Sequence, residues 1–273
     1  MRIVKKEVND KLGRWSKGST LLLTTMLNHL KLKIPGTQLE YTGPLDSWEL
    51  AEKLSSGWDS PIVLAKVLEA TRAVLTGNCS YERDGTQFST HPVKNTLREL
   101  LDELTEKNQQ VIDFGGGLGG TYICDSDVLL KKELEYIVIE QQSFVHHGNA
   151  LAREFSIPVK FSSELPKLES NCIVIFSGVI QYLQHWESVI ELITSQEPRY
   201  IIVDRIPLEK KESKFFIQEN TGYYEPNVSY PCIHLSRQEF LGSFQNYRLI
   251  KEWKSDFDPK NHRGFLFEGR KSA

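Results

Sequence analysis

The densest chemical signal is the run Val111-Ile112-Asp113-Phe114-Gly115-Gly116-Gly117-Leu118-Gly119-Gly120. An apolar segment leads straight into five glycines, and a helical segment is expected after them. Glycine lets the chain turn sharply and lets a ligand approach the backbone with no Cβ in the way. Two nucleotide-cofactor classes use this geometry. Gly115, Gly117 and Gly120 satisfy the GxGxxG spacing of dinucleotide sites, a weak signal in a run so rich in glycine. Glu140 closes the next apolar segment, Ile137-Val138-Ile139-Glu140, twenty residues after Gly120. An acid there can accept hydrogen bonds from both hydroxyls of a ribose; the alternative is a solvated strand end. Asp113 separates the two classes. Dinucleotide turns usually carry apolar residues at that place, whereas S-adenosylmethionine (SAM) sites commonly carry an acid that organises the loop around the cofactor's ammonium group. A buried carboxylate needs such partners, because burial without them is costly.

These residues need a scaffold, and the apolar pattern supplies one. After Gln109, short apolar runs alternate with helical stretches. Val111–Phe114, Tyr136–Ile139, Val159–Phe161, Ile173–Phe176 and Tyr200–Val203 read as buried parallel strands, with Trp186–Ser195 as one crossover helix. Tyr247–Trp253 and Gly264–Phe267 leave no room for a helix between them and predict an antiparallel hairpin through Asp256–Asn261. The expected fold class is therefore α/β: a Rossmann-like, mostly parallel sheet, closing with an antiparallel C-terminal hairpin. Residues 1–107 read as a helical N-terminal cap and residues 108–273 as the nucleotide-binding domain. Within the cap, Ser60-Pro61 starts a helix that places Ile62, Val63, Val67, Leu68 and Val74 at helical spacing until Gly77-Asn78. His91-Pro92 opens another, in which Val93, Leu97, Leu100, Leu101 and Leu104 share a face.

Composition bounds the function. The chain has 273 residues, 40% of them hydrophobic and 25% charged, enough for a sizeable core. Its net charge of −3 argues against a general nucleic-acid coat. The longest apolar stretch, around Leu21–Leu30, is broken by Thr24, Thr25, Asn28 and His29 and is too short to span a bilayer. Residues 1–33 carry eight Lys or Arg against two Asp or Glu. This basic segment reads as a solvated helix; weak contact with an anionic membrane surface is the alternative. It lacks a small-residue cleavage site. Cys79, Cys124, Cys172 and Cys232 form no CxxC pair, so no zinc or other metal site is expected, and reduced thiols in a cytoplasmic protein are. His146-His147 are adjacent on a helix, point apart and make no metal site.

The sequence resembles a class I SAM-dependent methyltransferase. Asp113–Gly119 resembles the first motif of that class, Glu140 the second, and Phe176–Leu183 the strand-four motif whose loop lines the active site. It is similar, more closely, to a little-characterised bacterial family of methyltransferases associated with surface-polysaccharide biosynthesis. Tyr41–Trp48, Gly57–Pro61, Tyr81–Asp84, Asp113–Tyr122, Gln181–Leu183, Asp204–Pro207, Ser229–Cys232 and Gly264–Phe267 carry that resemblance, in order, over roughly residues 40–270. One departure is Gly117, where serine is familiar.

The resemblance implies SAM as cofactor and a small-molecule or saccharide acceptor. It sets Gly115, Gly116, Gly117 and Gly119 against the methionine part and Glu140 on the ribose. Gln141 falls beside the adenine, with Ser162, Ser163 or Glu164 at its edge, and Ser177 and Gly178 fall by the sulfonium. Arg83 could bind the cofactor carboxylate or tie the cap to the core by a salt bridge. A base is needed only where the acceptor loses a proton, and the candidates are His185, Asp204, Tyr182, His234 and Tyr230. Asp204-Arg205 could equally form a local ion pair. Tyr223, Tyr224 and Tyr230, in an irregular insert, could stack on a sugar. Two other classes compete. An NAD-dependent oxidoreductase or epimerase is opposed by Asp113, by the hairpin and by the lack of a Tyr-x-x-x-Lys pair after the fourth strand. A non-catalytic binding module of the same fold would keep the pocket without turnover.

Overall fold

The computed structural model describes residues 30–33, 39–58, 60–220, 226–255 and 262–270. The N-terminal basic segment apart from 30–33, Tyr223, Tyr224 and the turn Asp256–Asn261 lie outside the described residues. The chain divides into two compact units, residues 1–57 with 215–231, and residues 58–214 with 232–273.

In the smaller unit, β1 (Leu30–Lys33) pairs antiparallel with β2 (Leu39–Leu45). Ser47 then caps α1 (Trp48–Leu54), its Oγ accepting the Leu50 N–H. Leu45 and Ala51 pack with Ile217 of a later strand.

The larger unit begins with α2 (Pro61–Leu75), with Ser60 at the N-cap position and Pro61 in the first turn, as the sequence predicts, although the Ser60 side chain makes no cap hydrogen bond. The left-handed Gly77 follows its end. A hairpin of β3 (Tyr81–Arg83) and β4 (Thr86–Phe88) turns through Asp84-Gly85, both at positive φ. Next, α3 (Thr96–Leu104) is capped by Asn95, whose side chain accepts the Arg98 N–H. This cap sets the helix start beyond His91-Pro92. Val93 therefore precedes the helix and is fully exposed, instead of sharing the face of Leu97, Leu100 and Leu101.

The sheet of this unit follows in alternation with helices. Strand β5 (Gln110–Phe114) feeds the glycine turn and two short helices, α4 (Gly120–Cys124) and α5 (Ser126–Leu129). Then come β6 (Glu135–Ile139), α6 (Gln142–Glu154), β7 (Val159–Ser162), β8 (Ile173–Ser177), α7 (Trp186–Thr194) and β9 (Tyr200–Glu209). The parallel order is β7-β6-β5-β8-β9. The order reverses at β5, leaving a crevice at the carboxyl ends of β5 and β8, where open α/β sheets bind ligands.

Strand β10 (Lys214–Asn220) pairs with β2 in the smaller unit. Strand β11 (Val228–Ser236) crosses the unit boundary, and its Leu235 and Ser236 run parallel to Leu208 and Glu209. After α8 (Arg237–Gly242), β12 (Tyr247–Lys254) and β13 (His262–Gly269) form the expected antiparallel hairpin, and β13 pairs antiparallel with β9. The fold is the expected α/β, mostly parallel, Rossmann-like sheet. The core strands are apolar on both faces: Val111, Ile112, Ile173–Phe176 and Ile201–Val203 are fully buried.

The first 107 residues are not purely helical, since β1 to β4 lie there. The boundary between units also differs from 107/108. Helix α2 and the β3–β4 hairpin pack on α4 of the sheet unit, which draws residues 58–107 into it. Among the described residues, no helix is long and apolar enough to cross a membrane. The four cysteines are free thiols, and burial pushes Cys124 and Cys172 up to about 12.

Trp253 and Gly264 face each other across the β12–β13 ladder, and the indole occupies the space where a Gly264 Cβ would stand. Gly264→Ala should therefore cost about 1–3 kcal/mol by overpacking. Gly242→Ala, with open space around it, should stay within about 0.5 kcal/mol of the parent. Urea denaturation midpoints of the two variants check this pair.

Candidate functional site

The glycine turn joins β5 to α4 at the crevice. Gly115, Gly117 and Gly119 all adopt left-handed backbone, with φ of 71°, 60° and 82°, so side chains there would be strained. The Gly115 N–H donates to Ile139 O at 2.9 Å, and the Gly119 N–H to Gly116 O at 3.0 Å. A Cβ on Gly115 would run into Val179, and one on Gly116 would come within 2.5 Å of Asp113 Cγ. A Cβ on Gly117 would meet nothing within 4 Å. The turn is thus packed tightly on its inner side and open at Gly117.

Asp113 lies under the turn and is 1% exposed. Its Oδ2 accepts the Tyr136 hydroxyl at 2.9 Å, and the Thr121 side chain is a second polar neighbour that favours the charged form. Oδ1 is buried without a hydrogen-bond partner. Burial raises the carboxyl to about 6, against the lowering effect of Tyr136 and Thr121. Asp113 thus braces the turn from beneath, through Gly116.

Glu140 stands at the end of β6 and reaches across to the turn. Its Oε1 accepts the Gly117 N–H at 3.2 Å and its Oε2 the Gln141 N–H at 2.8 Å. Burial raises its pKa, the two N–H bonds lower it, and the charge of Asp113 raises it. The Glu140 N–H donates to Ser162 O at 3.0 Å, bringing the end of β7 alongside. The Ser162 hydroxyl closes a local turn with the Glu164 backbone. Gln141 and Ser163 are exposed.

On the other side of β5, Ser177 and Gly178 end β8. Arg205, at φ 58°, lays its guanidinium over Gly178. Its Nη2 donates to Ser177 O at 3.0 Å, its Nε to Ser177 Oγ at 3.3 Å, and its Nη1 to Asp84 Oδ2 at 2.8 Å. The β3–β4 hairpin is thereby tied to the crevice by Arg205 and Asp84. Arg83, read from the sequence as either a ligand of the cofactor carboxylate or a tie between cap and core, lies over the Phe88 ring at 5.7 Å. Asp204 Oδ1 accepts the Trp253 indole N–H at 3.0 Å, and its charge helps raise the neighbouring Arg205 guanidinium, as in the local pair the sequence allowed.

The remaining base candidates are more scattered. His185 is the exposed N-cap residue of α7. Tyr182 meets Trp58 edge to face, with ring centroids 4.4 Å apart. His234 Nδ1 lies 3.9 Å from Glu209 Oε1. Tyr230 is 1% exposed and belongs to the smaller unit. Among the described residues, no three His, Cys, Asp or Glu side chains could hold a metal ion. Two open clefts, of about 750 and 490 Å³, lie at the opposite edge of the sheet around Gln110, Lys167, Glu135 and Lys160. They share no residue with the glycine turn.

Sequence reasoning missed Val179, Tyr136 and Glu82. Val179 is the wall against Gly115, and Tyr136 is the partner of Asp113. Glu82 is 8% exposed, and its Oε1 would collide with a Cβ on Gly120. The signal for the Glu82 hairpin was present as Asp84-Gly85, a pair favoured in two-residue turns because both positions take positive φ.

No family model matches the sequence, and no curated protein matches it either. Several solved structures resemble the fold. The 1,6-didemethyltoxoflavin-N1-methyltransferase of Burkholderia thailandensis, with bound 1,6-didemethyltoxoflavin and S-adenosylhomocysteine, is 12% identical with a TM-score of 0.49, over 88% of this chain and 98% of that one. The N-terminal domain of EvdMO1, in the presence of S-adenosylhomocysteine and D-fucose, is 13% identical with a TM-score of 0.45, over 78% and 97%. Coclaurine N-methyltransferase, bound to N-methylheliamine and S-adenosylhomocysteine, is 13% identical with a TM-score of 0.44, over 92% and 71%.

Asp113, at about 6, and Glu82, at about 7, both stand above their ordinary carboxyl values. The folded state therefore holds protons that the unfolded chain has already released. The stability they lend is full below about pH 4 and is lost as pH rises through about 6 to 7. Asp113→Asn should remove its share, roughly 1–2 kcal/mol of the difference between about pH 5 and about pH 8. Parallel chemical denaturation of parent and variant at the two pH values measures it.

Proposed function

We propose that the protein is a SAM-dependent methyltransferase acting on a small-molecule or saccharide acceptor. One observation carries this reading: Glu140 is bonded to the Gly117 N–H, so ribose-binding acid and glycine turn form one cradle at the switch of strand order. The cradle fits the cofactor on two further counts. The turn is open at Gly117, where a side chain would intrude. Asp113, a poor fit for the pyrophosphate of a dinucleotide, is a carboxylate with an unpartnered Oδ1, suited to a ligand that carries positive charge.

When bound, SAM supplies an electrophilic methyl group on a sulfonium. Gly115, Gly116, Gly117 and Glu140 would hold it, with Gln141, Ser162 and Ser163 toward its adenine and Ser177 and Gly178 toward its sulfur end. Arg83, which could hold the cofactor carboxylate as a fork or tie the hairpin by a salt bridge, lies over Phe88 and is the weakest of the set. The main work left to the chain is to hold the acceptor in line, since orientation removes much of the barrier of a displacement. Arg205 fixes the floor of that region by clamping Ser177 and Gly178.

For a hydroxyl acceptor, His234 is the best-equipped base, because Glu209 would stabilise the imidazolium it forms. Asp204, Tyr182, His185 and Tyr230 are the other candidates. The association with surface-polysaccharide biosynthesis rests on the sequence resemblance, and a cytoplasmic setting on the reading of the cysteines as reduced thiols.

Calorimetry with S-adenosylhomocysteine, with NAD as control, tests the reading. The expected result is micromolar binding of the first and none of the second; binding of NAD alone would replace this reading with a dehydrogenase or epimerase. Glu140→Ala should weaken S-adenosylhomocysteine about tenfold or more, through loss of a charge-assisted hydrogen bond. Unchanged affinity would remove Glu140 from the site. Consumption of SAM with a panel of acceptors separates an enzyme from a binding module.

A further inference from the structure

We propose that Glu82 is a ligand-binding carboxylate, placed to receive the ammonium group of the amino-acid portion of an S-adenosyl ligand at the end of the glycine turn. The inference rests on the reading of the cofactor just given and extends it to a residue outside the glycine turn and the strand ends.

Three observations converge. First, Glu82 and the turn are shaped to each other. Its Oε1 occupies the place where any side chain at residue 120 would begin, so Gly120 is the residue that admits this carboxylate. Second, its hydrogen bonding is half used. Oε2 accepts the Gly85 N–H at 3.2 Å, while Oε1 has no donor among the described residues. Third, the neighbouring cations are already engaged. Arg205 is bonded to Asp84 and Ser177, and Arg83 lies over Phe88. A glutamine could accept the Gly85 N–H equally well and would bury no charge. An acid in this place becomes favourable when a cation completes it.

The groups facing Glu82 set its protonation. Burial raises the carboxyl to about 7, with the charge of Asp84 adding to the rise. The Gly85 N–H, Arg205 and Arg83 lower it. The Cys124 thiol packs on the Glu82 backbone and is itself pushed up to about 12, so it stays neutral. Near neutrality the raised Glu82 carboxyl is thus partly protonated, and an ammonium beside it must drive the proton off.

The test compares S-adenosylhomocysteine with 5′-methylthioadenosine, which keeps the nucleoside and lacks the amino-acid tail. Binding is measured by calorimetry at about pH 7 in two buffers of different ionisation enthalpy. For the parent protein, we expect S-adenosylhomocysteine to release protons on binding and 5′-methylthioadenosine none. For Glu82→Gln, whose melting temperature confirms folding, we expect S-adenosylhomocysteine to bind about tenfold more weakly and to release no proton. Its affinity for 5′-methylthioadenosine should stay within about twofold. Equal affinity of parent and variant for S-adenosylhomocysteine, or an equal loss on both ligands, overturns the assignment. Proton uptake in place of release also overturns it, since that would mark a protonated Glu82 donating to the ligand's carboxylate. If the parent binds neither ligand, the cofactor reading falls and this inference with it. If both bind and only the Glu82 outcome fails, the cofactor reading stands.

Discussion

The cost of withdrawing carboxylates from water governs this site. Asp113, Glu82 and Glu140 surround one five-glycine run, and burial raises all three. The hydrogen bonds each accepts come from backbone or hydroxyl donors and none from a cation: Tyr136 for Asp113, Gly85 for Glu82, Gly117 and Gln141 for Glu140. The glycines follow from this arrangement. Gly116 sits where Asp113 leaves no room for a Cβ, and Gly120 sits where Glu82 leaves none. The turn is therefore the imprint of the acids around it as well as a consequence of its own left-handed backbone. A site built this way favours a ligand that brings positive charge with it, because the charge offsets a penalty the fold already carries.

The opposite flank is built from a fixed cation. Arg205 reaches from β9 over Gly178 to Asp84, so one guanidinium organises the end of β8 and anchors the β3–β4 hairpin. Its neighbour Asp204 is taken by the Trp253 indole, which in turn covers Gly264. Adjacent residues on β9 thus connect the crevice to two different layers, the N-terminal hairpin and the C-terminal one. The acidic and the basic flank meet at the switch of strand order, where Val179 closes on Gly115.

Much of this was legible in the sequence. Apolar runs located the five parallel strands: Tyr136–Ile139, Ile173–Phe176 and Tyr200–Val203 are unbroken because they are buried on both faces, and only Asp113 and the exposed Lys160 interrupt the other two. The lack of a helical segment after Trp253 located the hairpin. Glu140 was found from its place at a strand end, and Asp113 from its place before the glycines. What stayed hidden depends on contacts between residues distant in sequence. Nothing local in Tyr81–Asp84 says that Glu82 meets Gly120 or that Asp84 meets Arg205. The helix start at Thr96 was obscured by Pro92, a strong starter that Asn95 overrides by capping Arg98. Asp84-Gly85 did carry a hairpin signal, and the helical texture of its surroundings masked it.

The position of β13 has a consequence for synthesis. Strand β9 is completed on one edge by β8, which precedes it, and on the other by β13, which pairs from His262 to Glu268. A chain growing from its N-terminus presents β9 as an open edge until those residues have left the ribosome. The intervening chain supplies β10, much of β11 and α8, whose folding does not close that edge along Tyr200–Pro207. The nascent protein therefore carries an exposed, strongly apolar strand edge through the synthesis of more than half a hundred residues, the kind of edge that recruits other strands. The sheet that forms the crevice early in the chain is sealed by the segment that emerges late.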